Sequence, residues 1–252
     1  MRTRFLLVTV MLLSLGSFPA AAQNGCVRPA QLAAPFAFVS VNGQCTDLSA
    51  FIVAQTKGWT LNTRTAIAGS TIDVHAIFNP DPSITFGGTT ANPSVTATTY
   101  AFIFGTPIVP NMYTLAVSSI QFSATSTQGT TTVSNSSSQP TYIVGYGSAG
   151  AALTNLGVNA GTNSCVASGT GASTTCAAEG RTNTFPPAFY DNLEAFVAYT
   201  QDNQLSTASF SGSITLDRAG AVTVTPEPSA LALVATGLLV LGGYAARRRA
   251  RT

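Results

Sequence analysis

The central part of this chain alternates apolar and polar residues with a period of two. In residues 72–78, which read IDVHAIF, one face carries the apolar set Ile72, Val74, Ala76 and Phe78, and the other carries Asp73, His75 and Ile77. Successive side chains of a strand point to opposite faces of the sheet, whereas a helix repeats every 3.6 residues. The same alternation occurs at Tyr113, Leu115 and Val117, again at Ile120, Phe122 and Ala124, and in residues 210–216. These segments therefore predict half-buried β-strands.

The composition of residues 23–216 also favours strands. Thr, Ser, Val, Ile, Phe and Tyr are abundant, Gly, Pro and Asn punctuate them, and Lys57 is the only lysine of the chain. We therefore predict an all-β fold, an antiparallel β-sandwich of about eight to ten strands. A C-terminal hairpin of residues 193–199 and 210–216 is expected to close it, although residues 190–201 also fit a helical period. One short helix is predicted at residues 48–56, with Gly58 beyond its end.

The N-terminal residues have the order of parts of a signal peptide. A short basic region, MRTR, precedes the apolar stretch FLLVTVMLLSL, and small residues follow at positions 20–22. This arrangement is typical of a secretory signal that is removed during export. We predict a signal peptide at residues 1–22, with cleavage between Ala22 and Gln23; a retained N-terminal anchor is the alternative.

Export puts the four cysteines in an oxidising compartment, where disulfides persist. Four cysteines allow three pairings, and the local pairing, Cys26–Cys45 with Cys165–Cys176, closes two short loops. Each loop would stabilise the fold by roughly 3 kcal/mol. A zinc site is the competing interpretation, but the chain has no Cys-x-x-Cys and its only histidine, His75, is distant in sequence. We therefore expect disulfides and no metal.

The C-terminus predicts a single membrane-spanning helix. Residues 229–246 carry no charge and would form a helix about 27 Å long, the short end of what a bilayer core needs. A basic tail, residues 247–252, follows with Arg247, Arg248, Arg249 and Arg251. Such clusters stay in the cytoplasm, so this orientation agrees with an exported central domain. A buried helix of a globular domain is the alternative.

Residues 217–228 form the expected tether between this domain and the membrane. Pro226 and Pro228 are excluded from a helix interior, and Pro228 biases Glu227 toward extended geometry. Extended backbone of this kind fits the active-site cleft of a protease.

Together, the Pro226-Glu227-Pro228 motif, the apolar span and the terminal arginines resemble a PEP-CTERM sorting signal, with Thr225 where that family more often has valine. The resemblance implies a Gram-negative cell that makes exopolysaccharide. It also implies processing by an exosortase, a membrane-embedded cysteine peptidase that cuts near the motif. A plain single-pass anchor is the alternative.

The charge distribution excludes a nucleic-acid partner. Residues 24–225 carry five basic and eight acidic groups, a net charge of about −3, and the remaining basic groups lie in the two terminal segments. A protein that follows a phosphate backbone needs a basic patch, and the central domain has none.

The sequence offers few residues for catalysis. A Ser-His-Asp triad would have to use His75, and the nucleophile motif Gly-x-Ser-x-Gly fails at Ser148 because Tyr146 stands where glycine is needed. Asp191 and Glu194 could form a glycosidase pair only if their segment were helical. The aromatic residues could stack on sugars but are expected in the core: Trp59, Tyr100, Tyr113, Tyr142, Tyr146, Tyr190 and Tyr199.

We predict no catalytic residues and no cofactor. The chain is interpreted as a non-enzymatic protein of the cell surface or extracellular matrix, first held in the inner membrane by its C-terminal helix and associated with exopolysaccharide. A carbohydrate-binding module and an anchored hydrolase are the alternative functions.

Overall fold

The computed structural model describes residues 26, 28–29, 33–137, 139–150, 152–202 and 205–218. Several sequence predictions lie outside these residues: the signal peptide 1–22 with its cleavage site at Ala22 and Gln23, the tether from residue 219, the motif at 226–228, the helix at 229–246 and the tail at 247–252. They stay predictions.

The all-β prediction is confirmed for the described residues. Their regular structure consists of one 3-10 helix, Ser49–Phe51, and fourteen strands: β1 Phe36–Val41, β2 Gln44–Asp47, β3 Ile52–Gln55, β4 Gly58–Ile67, β5 Ser70–Asn79, β6 Ser83–Asn92, β7 Thr98–Ser126, β8 Thr130–Asn135, β9 Ile143–Ala149, β10 Ala152–Asn155, β11 Cys165–Ser168, β12 Ser173–Thr175, β13 Glu179–Gln201 and β14 Ser206–Arg218.

Hydrogen bonds join the described strands into one antiparallel sheet. Its main order is β10-β9-β13-β7-β14-β6-β5-β4-β3. β1 joins β7 and carries β2, β12 also joins β7, and β8 joins β13 and carries β11.

The long strand β7 belongs to two parts of this sheet. Its first part pairs with β1 and with the C-terminal part of β13, as in Phe102 opposite Val39 and Val197. Its second part pairs with β14 and with the N-terminal part of β13 or with β12. The pairing of β13 with β7 shifts register between Thr184 and Ala188 and between Tyr190 and Asn192. Such irregularities bend a strand, so both strands change direction between the two parts.

The core lies between these two parts of the sheet. Phe86 on β6 stacks on Phe104 on β7 with ring centroids 5.1 Å apart, although β6 pairs with β5 and β14 rather than β7. Phe102 lies 4.8 Å from Phe210 by the same measure. Strands at distant places in one sheet therefore face each other. A sandwich also has two facing layers, but its division into two separate sheets stays a prediction.

The predicted alternation is confirmed on β5, and the predicted hairpin is wrong. On β5 the apolar face of residues 72–78 is buried while Asp73, His75 and Ile77 are exposed. Residues 190–201 form a strand, which settles the helical alternative. However, β7 lies between β13 and β14 in the sheet. The rings of Tyr199 and Phe210 meet across the core with centroids 5.8 Å apart, so the two strands face each other instead of pairing.

On β7 the expected inward set Tyr113, Leu115 and Val117 is also wrong. Val117 is 40% exposed, while Ala116 and Ser118 are buried. The cause is that the pairing of β7 shifts register between Tyr113 and Leu115.

The helix predicted at residues 48–56 is also wrong. Its start is the 3-10 helix, and residues 52–55 form strand β3, in which Ile52 pairs with Leu61 and Val53 with Thr60 of β4. β-Branched residues gain more from the ladder of a neighbouring strand than from a short isolated helix.

All four cysteines form the local pair of disulfides. Cys26 bonds Cys45 across 19 positions, and Cys165 bonds Cys176 across 11 positions. The first ties the N-terminal segment to β2, and the second ties β11 to the segment after β12. The disulfide prediction is confirmed.

Candidate functional site

The most enclosed ionic contact of the described residues joins Arg28 to Glu194. The Nε of Arg28 donates to a carboxylate oxygen of Glu194, and the Nη2 of Arg28 donates to the Ser148 hydroxyl at 3.2 Å. The Arg28 side chain is 11% exposed and that of Glu194 is 4% exposed. This Arg28–Glu194–Ser148 cluster connects the N-terminal segment to strands β9 and β13.

The alternation of β13 places Glu194 on the face opposite the main core. Its neighbours Leu193 and Ala195 are fully buried in that core, whereas Glu194 lies across from Gly105 on β7 and Tyr146 on β9. A Cβ at Gly105 would overlap the ring of Phe36 on β1. Glycine at this position therefore leaves room for the Phe36 ring against β7, which separates β1 from the strand of Glu194.

Burial governs the electrostatics of the cluster. Desolvation raises the pKa of the Glu194 carboxyl above its ordinary value, and the hydrogen bond and charge of Arg28 oppose that rise. A buried carboxylate without a partner would be strongly destabilising, so Arg28 makes the ionised form tolerable. The cluster thus fits a structural ion pair.

The same enclosure argues against a role of this cluster as a reaction centre. Ser148 is 1% exposed, and the guanidinium of Arg28 has donors but no acceptor, so it takes no proton from a serine. Ser148 and Glu194 are separate candidates in the sequence, and no local pattern indicates that Arg28 links them. Arg28 is one of few basic residues in the central domain, but nothing in its neighbours along the sequence indicates its partner.

The carboxylate pair Asp191 and Glu194 is not assembled into one site. Asp191 accepts hydrogen bonds from the backbone N–H of Gly150 at 3.1 and 3.3 Å and from the side-chain amide of Asn192. Glu194 is held by Arg28 instead. The two carboxylates have separate partners, as expected for residues three apart in a strand.

His75 is exposed on the outer face of β5, as the alternation predicts. A Cβ at Gly87 would lie 2.6 Å from the His75 Nε2, so the imidazole rests against Gly87 on neighbouring β6. Asp73 shares this face, and Asp81 lies in the turn after β5. The hydrogen bonds among described residues include none that joins His75 to a carboxylate or a serine.

Most of the candidate sugar-stacking aromatics belong to the core. Five tyrosines are buried, while Trp59 and Tyr146 are partly buried. The buried ones are Tyr100, Tyr113, Tyr142, Tyr190 and Tyr199. This part of the sequence interpretation is confirmed, and it leaves these five rings unavailable to a ligand.

A second feature is a flat outer surface of hydroxyl groups on β6, β14 and β7, which we call the hydroxyl face. Its side chains alternate with buried ones, such as Phe86, Phe210 and Phe122, and therefore point away from the core. Strand pairing aligns them in rows. The hydroxyl face consists of Thr85, Thr89, Ser119, Ser123, Thr125, Thr207, Ser209, Ser211 and Ser213.

No metal-binding group of three or more His, Cys, Asp or Glu side chains occurs in the part of the chain that the structure describes. A cavity of about 50 Å³ lies beside the Cys165–Cys176 disulfide, with Tyr142 and Glu179 in its wall. A cavity of this size holds one or two water molecules and is too small for a sugar. Among the described residues there is also no helix that is long and apolar enough to cross a bilayer.

No protein-family model matches the chain, and no curated protein matches it. Among solved structures, the enzymatically active domain of bacteriophage CBA120 tailspike protein 4 matches 63% of the chain and 19% of its own length, at 12% identity and a TM-score of 0.29.

The carbohydrate-binding module TmCBM61, solved with β-1,4-galactotriose, matches 61% of the chain and 90% of its own length, at 8% identity and a TM-score of 0.22. The infectious bursal disease virus Gx strain structure matches 76% of the chain and 62% of its own length, at 9% identity and a TM-score of 0.14. These TM-scores are too low to indicate a shared fold or function.

Proposed function

We propose that the chain is an exported protein of the cell surface or extracellular matrix, without enzymatic activity, that associates with exopolysaccharide. The observation that carries this proposal is the pairing of all four cysteines in two disulfides. Thiols of cytosolic proteins are kept reduced, whereas disulfides persist outside the cytoplasmic membrane. The fold therefore suits the compartment that the N-terminal sequence indicates.

The proposed route follows from both ends of the sequence. Cleavage between Ala22 and Gln23 releases the N-terminus, and the helix at 229–246 holds the precursor in the inner membrane of a Gram-negative cell. The Pro226-Glu227-Pro228 motif then presents an extended segment to an exosortase. The product is retained at the surface or released into the surrounding polymer.

The state of the candidate catalytic residues supports a non-enzymatic role. Ser148 and Glu194 are enclosed and bound to Arg28, and Asp191 is bound to backbone N–H of Gly150. His75 is exposed but has neither a carboxylate to orient it nor a serine to activate among its hydrogen-bond partners. An anchored hydrolase would need these groups to converge.

A carbohydrate-binding function is the second candidate, and the hydroxyl face favours it. The outer surface of β6, β14 and β7 offers uncharged groups that both donate and accept hydrogen bonds, as sugar hydroxyls do.

Mass spectrometry of the mature protein from its native host tests the proposed route. We expect an N-terminus at Gln23, a C-terminus near residues 226–228 and no free thiols. The triple change Pro226→Ala, Glu227→Ala, Pro228→Ala should retain the C-terminal residues 247–252, while the control Thr223→Ala should be processed normally. Intact C-terminal arginines in the unaltered surface form would indicate a plain anchor, and free thiols would contradict export.

A further inference from the structure

The hydroxyl face has a regular geometry set by strand pairing. Thr85, Ser213 and Ser119 form one row across the three strands, and Thr89, Ser209 and Ser123 form another. Strands lie about 4.8 Å apart and alternate residues of a strand about 6.7 Å apart, so the face measures roughly 10 Å by 20 Å. Ala91 and Gly87 add small residues to the other two rows. The row of Gly87 and Ser211 ends at Gln121, whose amide donates to the Cys176 carbonyl, and the His75 imidazole lies over Gly87.

Part of the hydroxyl face is already ordered by its own hydrogen bonds. The Thr89 and Ser209 hydroxyls lie 3.0 Å apart, and so do those of Ser119 and Ser213. A hydroxyl has one donor and two acceptor sites, so each paired hydroxyl retains capacity for a further bond. The hydroxyls of Thr85, Ser123, Thr207 and Ser211 make no hydrogen bond to another described residue and keep their full capacity.

The charge on and around this face narrows the class of partner. None of the row positions on β6, β14 and β7 carries an ionisable side chain. The His75 imidazole of β5 reaches over Gly87, and Asp73 on β5 and Arg64 on β4 continue the row of Thr89. A nucleic acid or an acidic polymer needs cations, which are absent from these rows. A protein interface core is enriched in aromatic residues, Met and Arg, and these rows hold none.

We propose that the hydroxyl face binds an uncharged polysaccharide laid flat across β6, β14 and β7. The inference rests on the proposed association with exopolysaccharide and names its binding surface and the charge class of its ligand. Uncharged hydroxyl groups on both sides satisfy each other as donors and acceptors, and a neutral polymer brings no charge that must be desolvated. Each sugar contributes weakly because no aromatic ring stands in the rows, and a polymer gains affinity by placing several consecutive sugars on the same face.

Affinity electrophoresis of the purified mature protein tests this proposal. Any detergent in the preparation is a polyoxyethylene detergent, because a sugar headgroup would compete with the polymer. The native gels contain dextran, galactan or hydroxyethyl cellulose as neutral polymers, and alginate as the charged comparison. We expect retardation by at least one neutral polymer, little retardation by alginate, and little change with added salt because no ion pairs are involved.

The variant Ser211→Glu introduces a charge at an exposed position in the middle of the face, and its matched control is Thr154→Glu on the exposed strand β10. We expect Ser211→Glu to weaken retardation at least fivefold and Thr154→Glu to leave it unchanged, with the same thermal midpoint for both. The pair Ser123→Ala with Thr207→Ala should weaken it less.

Three results would overturn the proposal: no retardation by any neutral polymer, equal retardation of Ser211→Glu and the unaltered protein, or stronger retardation by alginate. A fourth such result would come from sedimentation velocity. If Ser211→Glu changes the oligomeric state, the hydroxyl face is a contact between copies of the protein and not a polysaccharide-binding surface. Binding is measured on purified protein, so failed export or processing would refute the proposed function without touching this result.

Discussion

The guanidinium of Arg28 binds the carboxylate of Glu194 across 166 positions of sequence, at a place where both side chains are nearly enclosed. The contact fixes the segment around Arg28 onto strand β13, two positions after Cys26 of the Cys26–Cys45 disulfide. The N-terminal segment is thus held to the sheet by a covalent bond and by an ion pair.

Removing one partner of this ion pair should destabilise the protein more than replacing both. Arg28→Ala leaves a buried carboxylate without a counter-ion, and we expect a loss of about 3 kcal/mol or more in the free energy of unfolding. The double change Arg28→Met with Glu194→Leu should lose less. Urea denaturation measures the free energy of unfolding of both variants. If Arg28→Ala and the double change lose the same amount, the ion pair is not desolvated.

Glu194 should make stability fall as pH rises. Its pKa is raised in the folded state, so its favourable contribution is complete below its unfolded pKa near 4.5 and is lost as pH rises through the higher folded value. Glu194→Gln removes this dependence. We therefore expect the unaltered protein to lose stability relative to Glu194→Gln as pH rises above 4.5, measured as the difference of two urea series. A difference of the opposite sign would contradict the raised pKa.

Buried tyrosines should make the fold sensitive to alkali. Desolvation raises the pKa of Tyr100, Tyr113, Tyr142, Tyr190 and Tyr199 above the ordinary value of 10.0. Their contribution is complete below about pH 10 and declines above it, because the unfolded chain releases these protons more readily. Phenolate absorbance should therefore rise together with loss of the fold. Tyr199→Phe should make the free energy of unfolding fall less steeply as pH rises above about 10. This change also removes the 2.8 Å hydrogen bond to Thr90.

Each disulfide should contribute about 3 kcal/mol to the free energy of unfolding. The changes Cys26→Ser with Cys45→Ser, and Cys165→Ser with Cys176→Ser, open loops of similar size. Thermal unfolding with and without a reductant gives the comparison. If a reductant lowers the midpoint of the quadruple serine variant as well, the effect is not due to the disulfides.

Gly105→Ala should destabilise the protein by about 1–3 kcal/mol, because the added Cβ overlaps the ring of Phe36. Phe36→Leu vacates part of that space. The double variant should therefore lose less than the sum of the single variants, measured by urea denaturation. If the losses are additive, the destabilisation by the alanine does not come from its overlap with Phe36.

Local patterns of the sequence predicted which face of β5, β13 and β14 is buried but not which strands pair. The inward set on β13 and β14 was correct, since Leu193, Tyr199 and Phe210 are all buried. Alternation reports burial alone, and it reads the same whether two strands share hydrogen bonds or face each other across a core. The placement of β7 between β13 and β14 depends on residues about a hundred positions away, so no adjacent segment indicates it.

The two candidate sites were also only partly predictable from the sequence. The Ser and Thr content of the strands was evident, but its collection into one flat face requires the register of β6, β14 and β7. The Arg28–Glu194 pair was hidden because an isolated arginine in a coil segment carries no periodic signal. The disulfides were predictable because few pairings exist and the local one closes short loops.

The position of the last strand has a consequence for the order of assembly. β14 pairs with β6 on one side and β7 on the other, so it completes the centre of the sheet although it is the C-terminal strand described. A chain that crosses a membrane N-terminus first delivers β3 to β6 long before β14, leaving an unpaired edge open to wrong partners. On the proposed secretory route, the sheet is completed only after residue 218 has crossed the membrane, and a chaperone that shields the edge of β6 until then would prevent wrong pairing.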